Sequence, residues 1–462
     1  LNVTNPHKLN AQPMEILSRI RDQIHRDFIQ KTPASKELYA RANSVLPGGV
    51  SGNLRFFPPY PLYMSSGSGC IVTDVDANDY IDCFSANGPM LLGHNHPEVV
   101  EAISSTQTLG SLPLNPEVMI ECAELLTELV PCAEQVRFLN TGTEAVMTAI
   151  RIARGFKNKD KIIKFHGHYH GQQDQFLFGM DTTDAMFSDG VPRDAVSTTL
   201  IHRYNDIDAV RSTLESDDEV AAVILDPAMH AGGLWGSSKE FLEKIRALTS
   251  KHGVLLIFDE VITGFRLGTG GAQAYFDVTP DLVTMAKALG AGEKIAIVAG
   301  SREVMSVLDP NAPAGTPRVF QSGTVNDGAP ALAACVAAMR VYTELEKQGE
   351  YEHLFDRTER LQKFIESAFT TRGLNCQANR VASMLQLYIN PVTVDFESAG
   401  GVDYVPVELF YTGMINEGVL LSLPTSNHIY MSFAHEDKHI DLIESKVEKV
   451  LDKYGFDDLA IS

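Results

Sequence analysis

The stretch "LLIFDEVITGFR", residues 255–266, carries an apolar run straight into Asp259 and Glu260. A carboxylate at the end of a buried strand needs a positive partner, because an isolated charge in an apolar setting is costly. Asp259 could ligate a metal, close a salt bridge, or act as counter-ion to a cationic ring nitrogen. Lys287 follows the apolar run "PDLVTMA" and is flanked by alanines. Apolar surroundings depress a lysine's pKa and make its amine a nucleophile for carbonyls. The commoner alternative is a lysine that snorkels to the surface. A third stretch, "NTGTEAVMTAIRIARGF", sets Thr-Gly-Thr ahead of a helical run with Val146, Ile150 and Ala153 on one face. Free amides and the dipole at such a helix start suit a phosphate. A plain N-cap with Glu144 in the first turn uses the same residues. Taken together the three parts suit pyridoxal phosphate: Lys287 for the aldehyde, Asp259 for the protonated ring nitrogen, and the helix start for the phosphate.

The elements that must position these groups are legible in outline. Short apolar runs, "QVRFL", "KIIKF", "AAVIL", "VLLIF" and "IAIVAG", alternate with helical stretches such as "PEVMIECAELLTELV". That alternation predicts an α/β fold, a mostly parallel sheet with helices on both faces. In such sheets ligands bind beyond the carboxyl ends of the strands. There the polar residues gather: Asn140–Thr143, His166–His170, Asp226 and Asp259. "CIVTDVDANDYIDC" reads as a hairpin, and the region after 331 as helices mixed with short strands. The expected organisation is an N-terminal segment over 1–75 that contributes to a small domain, a large cofactor-binding domain over 76–330, and an α+β small domain over 331–462.

Composition narrows the class. The 462 residues are 44% hydrophobic, enough for more than one core. Fifty-nine acidic against 38 basic residues give a net charge of −21, which argues against nucleic acid or an anionic membrane as partner. No apolar stretch is long enough to span a membrane. The N-terminus lacks a signal-peptide apolar core and carries Glu15, Asp22 and Asp27, unlike a transit peptide. Six scattered cysteines without CxxC spacing read as reduced core residues, and the expected compartment is the cytosol. The alternating histidines His94, His96, His166, His168 and His170 lack supporting ligands at zinc-site spacing, so no metal is expected.

From "LPGGV" at 46 to "MSFAH" at 431, the chain resembles the class III (subgroup II) pyridoxal-phosphate aminotransferases. Within them it is most similar to the branch of glutamate-1-semialdehyde aminomutase and the β-amino-acid and D-phenylglycine aminotransferases. The resemblance rests on "LLGHNHPEVVEAI", "TGTEAVMTAIRIARG", "YHG", "LLIFDEVITGFR", "GGAQAYFDVTPDL", "MAKALGAG" and "SGT". It implies fold type I architecture, Lys287 as the Schiff-base lysine and Asp259 as the pyridinium partner. It further implies Tyr169 and Val261 on the two ring faces, the Gly142 and Thr143 amides at the phosphate, and Asp226 at the cofactor. Thr324 would reach the phosphate in the neighbouring subunit of a homodimer, and Arg55 would hold a substrate carboxylate.

The departures concern the substrate. Asp226-Pro227 stands where the family has Glu-Pro, Ala231 where ornithine and GABA enzymes have a glutamate, and "GTVNDGAP" is one residue longer than usual. Asn87 and Asn427 occupy the stretches of the aminomutase's tryptophan and C-terminal glutamate. The expected activity is therefore transfer from an amino donor to a separate keto acid acceptor. An intramolecular aminomutase is the alternative, then a racemase or epimerase. Intact Lys287 and Asp259 speak against a non-enzymatic binding protein.

Overall fold

Runs of Val, Ile, Leu and Ala without polar alternation form strands that are covered on both faces, because nothing in them tolerates solvent. The computed structural model describes residues 11–461 apart from 111, 113, 182, 390–393 and 400. In chain order its strands are β1 Met64–Ser68, β2 Ile71–Asp74, β3 Asp79–Asp82, β4 Gln135–Leu139, β5 Lys161–Phe165, β6 Thr199–His202 and β7 Val220–Leu225. They continue with β8 Leu255–Glu260, β9 Leu282–Met285, β10 Ala296–Gly300, β11 Cys376–Val381, β12 Met384–Ile389, β13 Val419–Leu420 and β14 His428–Tyr430.

Seven of them build one sheet in the order β4-β10-β9-β8-β7-β5-β6. Strands β5 to β9 pair in parallel, while β10 is antiparallel to both β9 and β4. Two reversals restore the direction, so β4 also points the same way as β9. The carboxyl ends of β4, β5, β7, β8 and β9 therefore lie along one edge. The expected mostly parallel sheet is present, with the "IAIVAG" run as its one reversed member. Strands β6 and β9 are short and were not separated from their surroundings by pattern alone; "LVTM" read as the apolar approach to Lys287.

The helix Gly142–Lys157 covers one face of this sheet. Its start is a capping box: Thr141 Oγ1 accepts from Glu144 N at 3.2 Å, and Glu144 Oε2 accepts from Thr141 N at 3.0 Å. Ala145, Val146, Ala149, Ile150, Ile152 and Ala153 are buried against Ile162, Ile224, Ile257 and Val298. Each large aliphatic residue buried this way contributes about 1.5–3 kcal/mol.

The chain divides into Leu1–His96 with Glu352–Ser462, and Pro97–Tyr351. Residues 1–10 and 462, at the ends of the expected N- and C-terminal segments, lie outside the described residues. Both boundaries fall later than those read from the sequence, 76 and 331. The hairpin β2–β3 pairs onward to β13, which keeps residues after 76 in the first unit. The helix Ala329–Lys347 packs on Pro97–Ser105 and Glu117–Leu129, which keeps it in the second. The first unit carries two small sheets, β1-β2-β3-β13 and β11-β12-β14.

Strand alternation sends the two carboxylates at the end of β8 to opposite faces. Glu260, fully buried, accepts from Ala272 N at 2.5 Å, Gln273 N at 3.3 Å and Thr263 Oγ1 at 3.1 Å. It thus satisfies the amino end of the helix Gly271–Phe276, and burial raises its carboxyl to about 7. Glu260→Ala should leave these donors without an acceptor, at roughly 1–3 kcal/mol. Calorimetry should show the thermal midpoint lowered by several degrees (about 2–4 °C per kcal/mol for a domain this size); an unchanged midpoint would mean the amides find another acceptor.

Candidate active site

Asp259 sits on the last turn of the pleat of β8, 6% exposed, with Thr284 of β9 as its register partner. Its Oδ1 accepts from Thr284 Oγ1 at 3.1 Å and Val261 N at 3.2 Å. Its Oδ2 is 2.7 Å from Nδ1 of His170, which is wholly buried. Burial holds the imidazole well below its ordinary value, and the charge of Lys164 adds to that. The contact is therefore a hydrogen bond from a neutral ring, with the proton on Nδ1, rather than an ion pair. Among the described residues His170 Nε2 is buried without a hydrogen-bond partner. Despite three donors, burial pushes Asp259 up to about 7, partly opposed by the Val261 amide, Thr284 and Lys287. The carboxylate is short of positive charge.

Lys287 opens a 3-10 turn immediately beyond β9, the strand beside β8. It is half-buried and its φ is +47°, a left-handed conformation that costs a non-glycine residue roughly 1–2 kcal/mol. Tyr342 Oη holds the turn by donating to Ala288 O at 2.8 Å. Burial lowers Lys287 to about 8, helped by Arg266 and opposed by Asp226 and Asp259. A substantial fraction of its amine is thus neutral near physiological pH.

The start of the helix Gly142–Lys157 keeps two donors to spare. The capping box occupies Glu144 N, while the Gly142 and Thr143 amides have no acceptor among the described residues. Close packing defines this corner. A Cβ on Gly142 would stand 2.9 Å from both Val261 methyls, and one on Gly171 (φ +85°) would stand 2.7 Å from Thr143 Oγ1. That hydroxyl accepts from Gln172 N at 3.2 Å, tying the segment after β5 to the helix start. Thr141 thus takes the capping role, and the next two amides remain without an acceptor among the described residues.

Asp226, at the end of β7, is 6% exposed and accepts from Ala228 N at 2.9 Å and His230 N at 3.0 Å. Its own amide donates to His168 Nδ1 at 3.1 Å. Burial, and then the Asp259 charge, raise it to about 7. Its carboxylate anchors its own loop as well as standing near the site. Tyr169 is 44% exposed, and burial together with Asp259 raises its phenol. Thr324 is exposed, with no side-chain partner among the described residues. Arg55 belongs to the other unit, in the short turn Asn53–Arg55, and is exposed. Among the described residues no cluster of His, Cys, Asp and Glu could hold a metal ion.

The structure thus brings Asp259, Val261, Gly142, Thr143, Tyr169, Asp226 and Lys287 to one edge of one sheet. His170 and Thr284, which grip Asp259, were missed as such from sequence. In the sequence His170 stands out as part of "YHG" and of the alternating histidines, with nothing to pair it with Asp259, and Thr284 carries no motif. The donor set fits pyridoxal phosphate: a buried carboxylate wanting a cation, two free amides at a helix start, and a half-buried amine of lowered pKa.

The family profile Aminotransferase class-III matches residues 57–450. Glutamate-1-semialdehyde 2,1-aminomutase of Methanothermobacter thermautotrophicus is 38% identical over 427 residues, covering 90% of this chain and 98% of that protein. An omega-transaminase from Sphaerobacter thermophilus superposes with a TM-score of 0.84 at 30% identity, over 91% of this chain and 98% of its own. The β-phenylalanine aminotransferase from Variovorax paradoxus superposes with a TM-score of 0.85 at 26% identity, over 96% and 98%.

The lowered value of Lys287 has a direct readout. At pH 8 about half of a group titrating near 8 is neutral, against roughly one in 250 for an ordinary lysine. In cofactor-free protein, an amine-directed acylating reagent at pH 8 should mark Lys287 first on peptide mapping. Labelling no faster than that of exposed lysines such as Lys244 would contradict the assignment.

Proposed function

The chain belongs to the class-III aminotransferase family of fold type I pyridoxal-phosphate enzymes, and from that premise we propose that it moves an amino group from a carboxylate-bearing amino compound to a separate keto acid. The observation that carries the reading is the placement of Lys287 just beyond β9 and of Asp259 in the last two residues of the neighbouring strand β8. Bound pyridoxal phosphate supplies an electron sink for the electrons of a broken substrate C–H bond. Asp259 holds the proton on the ring nitrogen, and that proton supplies the positive charge its buried carboxylate lacks. The Gly142 and Thr143 amides take the phosphate. Val261 and Tyr169 would hold the ring between them, and Asp226 shapes its own loop near the site. Lys287 would hold the cofactor's aldehyde, and its amine, when free, would carry the substrate proton on Nζ.

The remaining roles complete the proposal. Thr324, exposed in the single chain, serves the cofactor of a second copy, so the working unit is a homodimer with shared sites. Arg55 offers a guanidinium fork that matches a substrate carboxylate. The second reading, intramolecular transfer, is supported by the relatives named as aminomutases at 37–38% identity. Against it, Asn87 and Asn427 stand in the stretches where that enzyme carries tryptophan and glutamate, as the sequence resemblance indicates.

Two assays decide between them. Amino acids should react only when a keto acid is supplied, and glutamate-1-semialdehyde should not be converted without an acceptor. Acceptor-independent formation of 5-aminolevulinate would reverse the order of the two readings. Arg55→Ala should lower kcat/KM for carboxylate-bearing donors by about 2–4 kcal/mol, on the order of 30- to 1000-fold. Amines without a carboxylate should change much less; equal impairment of both classes would remove Arg55 from the substrate site.

A further inference from the structure

Lys164 is the last residue but one of β5, whose carboxyl end belongs to the site's edge, and it has no exposed surface. A buried ammonium is ordinarily paired with a carboxylate. Among the described residues Lys164 has none; its Nζ donates instead to Phe178 O at 2.7 Å and Phe176 O at 3.3 Å. The rings of the same two residues stand 5.3 and 6.0 Å from Nζ, within reach of a cation–π attraction. Phe176 is itself fully buried and meets the His170 ring edge-on, with centroids 5.6 Å apart. His170 in turn holds Asp259 Oδ2 at 2.7 Å. A contiguous chain of contacts therefore runs from Lys164 through Phe176 and His170 to Asp259.

We propose that Lys164 is a positioning residue that acts through His170, fixing the imidazole against Phe176 with its one proton directed at Asp259. A doubly protonated ring would neutralise the carboxylate that the cofactor's ring nitrogen requires. A ring free to turn would withdraw its hydrogen bond. Lys164 opposes both, because two backbone carbonyls and two ring faces hold it in place and its charge repels a second proton. Burial pushes Lys164 itself down to about 7. Below that pH the cation repels the extra proton; above it the neutral amine still has two N–H donors for the two carbonyls. The inference rests on Asp259 being the ring-nitrogen partner.

The test is a double-mutant cycle read as the dissociation constant of pyridoxal phosphate, titrated into cofactor-free protein and followed by absorbance. Lys164→Met should weaken binding about tenfold in the native background and less than about twofold in a His170→Gln background. Lys164→Arg, which keeps the charge and the donors, should recover most of the affinity. Equal loss in both backgrounds would make Lys164 a purely structural strap, and no loss in the native background would likewise overturn the proposal. Should Lys164→Met fail to fold, Phe176→Leu replaces it in the same cycle, with the same His170-dependent loss expected and the same two contrary results. Asp259→Ala separates the two levels. Unchanged affinity there overturns the Asp259 reading and this inference together, whereas loss at Asp259 with none at Lys164 overturns this inference alone.

Discussion

A carboxyl group buried inside a sheet is the constraint on which the site depends. Asp259 is the last residue but one of a strand whose six residues are all buried, so water cannot stabilise its charge. The protein surrounds it with directed donors instead: the Thr284 hydroxyl from β9, the Val261 amide from its own turn, and the His170 imidazole from the segment after β5. None of the three is a cation. The half-buried Lys287 gives some relief, and the balance still leaves Asp259 near 7. Any cation brought to Asp259 meets a field already in place.

Order around this carboxylate is maintained by close approach more than by hydrogen-bond number. Gly142 and Gly171 bring backbone to where a side chain would collide with Val261 or Thr143. Lys287 is held in a left-handed turn and stayed by Tyr342 from the helix Ala329–Lys347. Strain of that kind persists only where the surroundings over-determine it, and it is concentrated at sites that must present one group in one direction. Glu260, one residue from Asp259, shows the complementary use of a buried carboxylate. It satisfies a helix end on the opposite face and stabilises the scaffold without entering the chemistry.

The first unit shows a comparable concentration of strain. Ser85, Ala86, Asn87 and Gly88 are consecutive residues with positive φ. The loop is held by Ser85 Oγ donating to Tyr430 O at 3.1 Å and by Tyr430 Oη donating to Asn87 Oδ1 at 3.0 Å. Asn87 is one of the residues that distinguish this chain from the aminomutase pattern. Its amide is thus oriented rather than loose.

The sequence by itself determined the sheet's apolar strands, the position of Asp259 at a strand end, the Thr-Gly-Thr helix start and the singular setting of Lys287. These are local properties, written in the composition of short runs and in the residue types that terminate them. It also pointed to the cofactor, because a strand-end carboxylate, an amine in apolar surroundings and a Thr-Gly-Thr helix start suit pyridoxal phosphate together, while each alone has another ordinary use. Only the tertiary structure decided which residues meet. The reversal of β10, the place of β9 beside β8, the grip of His170 on Asp259 across 89 residues, and the strapping of Phe176 and Phe178 by Lys164 all follow from strand register and order. The unit boundaries moved to 97 and 352 for the same reason, since they depend on which helix packs on which. Periodicity reports the face a residue presents; it holds no record of the partner that face will find.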